Sequence, residues 1–86
     1  MMKDMRTTEN RIRKIIIEML NIDEARVVST AHVRDDLGAD SLDIVELITT
    51  LSNTFEINVR DHEVQQISTI GETAAYIDRK LAGQYR

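Results

Sequence analysis

Three times along this chain apolar residues recur at the spacing of one face of an α-helix, and that repetition leaves few folds open. Ile12, Ile15, Ile16, Met19 and Leu20 form the first stripe, Ile44, Leu47, Ile48, Leu51 and Phe55 the second, and Ile70, Ala74, Ile77 and Leu81 the third. A helix with one apolar face needs a second such face to cover it. The start signals agree with the stripes. Thr7 or Thr8 is placed to cap the first helix, Asp40 the second, and Thr69 with Glu72 makes a capping box before the third. Asp61 can cap a brief additional helix through about Gln65, with Val64 and Ile67 facing inward. The expected fold is all-α: a small four-helix bundle of three longer helices and one short helix, with a long first loop.

That loop runs from Asn21 to Asp40 and carries no sustained stripe. Connections beyond about 12–15 residues are uncommon in compact domains unless they are structured or functional. Val27, Val28, Val33 and Leu37 are expected to anchor it to the core, with a short turn at Asp23-Glu24-Ala25-Arg26. Glu56-Ile57-Asn58-Val59 alternates like a strand, but no second strand exists to pair with it, so it reads as an extended connection. Residues 1–6 are expected to be a flexible start, residues 7–82 the folded domain, and residues 83–86 a helix stop with a loose tail. Arg11, Arg13 and Lys14 fall outside the first stripe and read as a solvated outer face.

Charge is the informative part of the composition. The net charge is −4, yet residues 1–34 hold seven Lys/Arg against five Asp/Glu and residues 58–86 hold four against four. Residues 35–57 carry Asp35, Asp36, Asp40, Asp43, Glu46 and Glu56 and no base. Such a cluster repels phosphate backbones and attracts cationic protein surfaces. With Phe55, Tyr76 and Tyr85 as the aromatics there is little to stack bases on, so nucleic acid is not an expected partner. The 86 residues include no cysteine, so disulfides, thiolate metal sites and a cysteine nucleophile are excluded. No stretch approaches membrane-spanning length, and a monomeric, cytoplasmic protein without membrane insertion is the expectation.

Ser41 lies in the middle of the acidic run, at the first turn of the second helix and facing outward. Leu42, Val45 and Thr49 form a short stripe roughly 100–160° from the buried face, with Asp43 and Glu46 beside it. Wet apolar groups next to an outward hydroxyl describe a docking surface, although single exposed apolar residues are common on any protein. A hydrolase would need a base and an oxyanion site, and Gly-x-Ser-x-Gly is missing. Nothing in the spacing of His32 or His62 ties either to Ser41. A calcium loop fails too: with Gly38 at position 6, Val33, Leu37 and Ile44 fall at ligand positions 1, 5 and 12. No specific metal site is expected, only loose divalent binding by Asp35, Asp36, Asp40, Asp43 and Glu46.

The run Asp36-Leu37-Gly38-Ala39-Asp40-Ser41-Leu42-Asp43, continued by Val45-Glu46-Leu47, closely resembles the acyl carrier proteins, and the likeness extends from about Thr7 to Leu81. The resemblance implies that Ser41 carries 4'-phosphopantetheine, attached covalently from coenzyme A by a separate phosphopantetheinyl transferase. It implies no catalytic residues in the chain itself, which would be a substrate of other enzymes. Acyl-transferring and acyl-modifying enzymes with basic docking patches would read Asp36, Asp40, Leu42, Asp43, Val45 and Glu46. A carried acyl chain would tuck against Leu47, Leu51, Val59, Val64 and Ile67, each of which is otherwise plain core. Some positions depart from the carriers of fatty acid synthesis. Ser52-Asn53-Thr54 replaces an acid-rich helix end, Arg60 and Val64 replace a frequent proline and alanine, and Thr49 replaces a larger apolar residue. These differences favour a carrier dedicated to a specialised pathway over the general fatty acid carrier. A non-acylated acidic interaction module is the reading from a different class.

Overall fold

The computed structural model describes residues 5–84 and consists of three long helices: α1, Met5–Leu20, α2, Ser41–Phe55, and α3, Ile70–Gln84. Two 3₁₀ helices, Glu24–Arg26 and Asp61–Gln66, lie in the connections. The three stripes meet as their spacing requires. Ile12 and Ile16 of α1, Ile44, Leu47, Leu51 and Phe55 of α2, and Ile70, Ala74 and Ile77 of α3 are buried in one core. Helix α1 packs against both α2 and α3 and is the element they share. Ile15, Met19, Leu20, Ile48, Val64 and Leu81 are half-buried around that core.

The long connection is anchored, but not by all the residues expected. Val27, Val33 and Leu37 are buried, whereas Val28 is 47% exposed. Asp23 caps the first 3₁₀ turn by accepting the Ala25 amide at 3.0 Å. Arg13 is no simple outer-face residue, because its Nε donates to the Val27 carbonyl at 2.6 Å and ties the loop to α1. The Arg11 guanidinium covers the Phe55 ring at 4.4 Å from its centroid, linking α1 to the end of α2. Farther along, His32 and Thr69 form an isolated antiparallel bridge, with Val33 N to Ser68 O at 2.9 Å and Ile70 N to Ala31 O at 3.0 Å. The loop is thereby fastened to the start of α3, a pairing between segments too short to show any periodicity.

Helix boundaries account for the other differences. α1 begins at Met5, so neither Thr7 nor Thr8 is its cap. Thr8 is buried and its hydroxyl donates to Asp78 Oδ1 at 2.8 Å, an α1–α3 contact. The expected loose start therefore loses Met5 and Arg6 to the helix, and residues 1–4 lie outside the described residues. Gly83 and Gln84 continue α3 instead of ending it, and Tyr85 and Arg86 lie outside the described residues. Asp61 is the first residue of its short helix, not the cap; Glu63 Oε1 reaches back to accept the Arg60 amide at 3.0 Å. At α3 the capping box is half made. Thr69 Oγ1 accepts the Glu72 amide at 3.1 Å, while the Glu72 carboxylate goes to the Ser68 hydroxyl.

Candidate functional site

Everything around Ser41 follows from how α2 starts. Gly38, with φ +81°, turns the chain in the left-handed region that glycine occupies without strain. Asp40 then caps the helix: its carboxylate accepts the Asp43 amide at 2.9 Å, and the Asp43 carboxylate accepts the Asp40 amide at 3.1 Å. This reciprocal pair makes Ser41 the first helical residue and leaves it exposed. Burial of Ile44, Leu47, Leu51 and Phe55 fixes the rotation of the helix, so the opposite side must face water. Leu42 is 79% exposed and Val45 is 60% exposed, with Glu46 and Thr49 also open to solvent. Asp43 is half-buried because its carboxylate is occupied by the cap.

The loop before the helix is folded on itself. His32 Nδ1 accepts the amides of Arg34 and Asp35 at 3.2 and 3.3 Å, and the His32 carbonyl accepts those of Asp36 and Leu37. Asp36 is exposed but engaged, its carboxylate accepting the His32 amide at 2.7 Å. Out of this turn the Arg34 side chain reaches α2 and places Nη2 3.4 Å from Ser41 Oγ. Arg34 belongs to no apolar stripe or motif in the sequence. The available signal was its position, as the last base before a 23-residue interval, 35–57, that contains none.

Beside Ser41 lies a groove of about 470 Å³, lined by His32, Arg34, Ile44, Asp61, Val64, Gln65, Ile67 and Ser68. Of the residues expected to line an acyl pocket it includes Val64 and Ile67 only. Leu47 and Leu51 are sealed in the core, and Val59, though half-buried, is not part of this lining. Five of the eight lining side chains are polar or charged, because the wall facing α2 is built by the folded loop and the 3₁₀ helix. On its far side the 3₁₀ helix is fastened to α3 through Glu63, whose carboxylate accepts Tyr76 Oη at 3.1 Å and Lys80 Nζ at 3.0 Å. The Arg60 amide, the Lys80 ammonium and the Tyr76 hydroxyl hold the Glu63 carboxyl down at about 2. Burial, helped by the neighbouring carboxylate, pushes the Tyr76 hydroxyl up to about 12. Among the described residues no three carboxylates or histidines are grouped so as to hold a metal ion, and no helix is long and apolar enough to cross a membrane.

Fold and site together define a small helical domain that offers a hydroxyl at the start of its second long helix. Residues 10–77 match the phosphopantetheine attachment site family, and the chain belongs to that family. It is a carrier domain whose cofactor is covalently attached 4'-phosphopantetheine. A phosphate-linked group suits the start of α2. Among the described residues the amides of Ser41 and Leu42 have no protein acceptor, and they lie at the positive end of a 15-residue helix. The carboxylates of Asp40 and Asp43 oppose an anion there, but each is turned toward the other's backbone amide.

Proposed function

We propose that the Ser41 hydroxyl is the attachment point of 4'-phosphopantetheine and that the chain holds acyl intermediates as thioesters and delivers them to partner enzymes. One observation carries this reading: Ser41 is an exposed residue at the head of a rigid helix, with exposed Leu42 and Val45 immediately behind it. In the loading reaction the bond from Ser41 Oγ to phosphorus forms, a phosphoanhydride bond of coenzyme A breaks, and the nucleotide portion leaves. The hydroxyl proton passes to a base of the phosphopantetheinyl transferase, which also supplies the metal. The thiol at the end of the arm provides the thioester chemistry. What the chain contributes is access, a fixed helix start and a surface that partners can read.

That surface is Leu42 and Val45 for apolar contact and Asp36, Asp40, Asp43 and Glu46 for charge. It complements patches that are basic at the rim and apolar at the centre on acyl-transferring and acyl-modifying enzymes. The domain works as a cytoplasmic monomer. We favour a specialised pathway, making secondary metabolites, polyketides or modified lipids, over general fatty acid synthesis. The groove supports that choice, since Leu47 and Leu51 are closed off and His32, Arg34, Asp61, Gln65 and Ser68 make its lining polar.

Incubation with coenzyme A, magnesium and a broad-specificity transferase, followed by intact-mass measurement, tests the assignment. Wild type gains one phosphopantetheine and Ser41→Ala gains none, with folding stability unchanged within about 0.5 kcal/mol for an exposed substitution. An unmodified wild type would reject the carrier role for this serine, and a modified Ser41→Ala would move the site elsewhere.

A further inference from the structure

Arg34 is a cation at the edge of an acidic surface, and its surroundings leave it uncommitted. Asp35 and Asp36 follow it in sequence and Asp61 lines the same groove, yet among the described residues no carboxylate lies within ion-pair distance of its guanidinium. Its one side-chain partner is the neutral Ser41 oxygen at 3.4 Å, a long contact that leaves most of five N–H donors unused. The backbone that presents it is held firmly. The Arg34 amide donates to His32 Nδ1, its carbonyl accepts the Gly38 amide at 3.1 Å, and the preceding Val33 is buried. The guanidinium is thus aimed at Ser41 by a folded loop.

We propose that Arg34 is a positioning residue that holds the phosphodiester joining Ser41 to its arm and directs the arm into the groove beside Ile44. The inference rests on Ser41 being the attachment point. A phosphodiester bears one negative charge over two non-bridging oxygens, the pattern that a planar guanidinium matches with two parallel N–H donors. The phosphorus would be one bond beyond Oγ and those oxygens two, within reach of a guanidinium whose Nη2 is already 3.4 Å from Oγ. Without a cation the diester would rely on the helix amides alone while facing Asp40 and Asp43. Arg34 also lines the groove, so an arm held at its phosphate starts along Ile44, Val64 and Ile67 instead of into open water.

The test uses the loaded protein. Wild type, Arg34→Gln and Arg34→Lys are modified with coenzyme A and a broad-specificity transferase, loading is verified by intact mass, and the ³¹P resonance and melting midpoint are measured at low and high sodium chloride. Gln displaces the phosphorus resonance toward that of a free pantetheine phosphodiester, Lys gives an intermediate position, and high salt moves wild type toward Gln. The rise in midpoint from unloaded to loaded protein is smaller by about 2–4 °C in Arg34→Gln than in wild type. Identical resonances and identical rises in all three proteins overturn the role of Arg34 while leaving the attachment site intact. Should Arg34→Gln fail to fold, the salt series on wild type alone decides, and a resonance that does not move with salt overturns the proposal. Absence of added mass on wild type, or its presence on Ser41→Ala, overturns the attachment reading instead and is seen before any phosphorus spectrum is recorded.

Discussion

Asp40 and Asp43 each satisfy the other's backbone amide, and this exchange determines which side chain stands first in α2. An N-cap of this kind contributes about 0.5–2 kcal/mol. Asp40→Ala should therefore cost about 1 kcal/mol and lower the melting midpoint by about 4–8 °C, whereas Asp40→Asn keeps most of the cap and loses little. Thermal unfolding followed by circular dichroism checks both. At the same scale, Leu42→Ser and Val45→Ser leave stability within about 0.5 kcal/mol because both residues are exposed, while weakening partner binding measurably by calorimetry. Asp40 as a cap and the wet Leu42 and Val45 were legible in the sequence, since capping is local and periodicity fixes which side of a buried helix faces out. The second half of the Asp40–Asp43 exchange and the reach of Arg34 were not. They depend on side-chain direction and on a loop that folds back through His32, and neither leaves a periodic trace.

The 3₁₀ helix Asp61–Gln66 has no fully buried residue of its own, so its position depends strongly on polar contacts. Glu63 does much of that fastening, accepting the Arg60 amide in front and Tyr76 and Lys80 of α3 behind. The sequence indicated a short helix here, with Val64 and Ile67 turned inward, but not its 3₁₀ form or the Glu63 contacts. A carboxylate three residues from a helix start has many partners available, and the third helix has to be in place before Tyr76 and Lys80 become the ones used. The pH dependence follows from the direction of the shifts. Glu63 falls from its ordinary 4.5 to about 2 on folding, so its contribution is complete above about 4.5 and is lost as pH falls toward about 2. Tyr76 rises from 10.0 to about 12, so its contribution is complete below about 10 and is lost as pH rises toward about 12. Urea midpoints measured across pH should drop in both windows. Glu63→Gln should flatten the acid limb relative to wild type, and Tyr76→Phe should remove the alkaline one.

Over the whole molecule, charge is unevenly spread among the helices. Arg11, Arg13 and Lys14 lie on α1, with Arg11 and Arg13 engaged by Phe55 and the loop, while Asp40, Asp43 and Glu46 surround the head of α2. On the proposed function, a partner with a basic patch would be drawn by these acids toward Ser41 before any apolar contact forms. Long-range attraction of this kind acts on the association rate and is screened over about 10 Å at 0.1 M salt, whereas the apolar contact proposed for Leu42 and Val45 would act on dissociation and be insensitive to salt. The two contributions can be separated. Stopped-flow binding of a phosphopantetheinyl transferase should show an association rate that falls as sodium chloride rises, with dissociation nearly constant. Glu46→Gln, at an exposed position away from the cap, should reduce the slope of that fall, while Leu42→Ser should leave the slope unchanged and speed dissociation at every salt concentration. An association rate indifferent to salt would mean that the acids around Ser41 serve the helix cap and the loop but do not guide encounter.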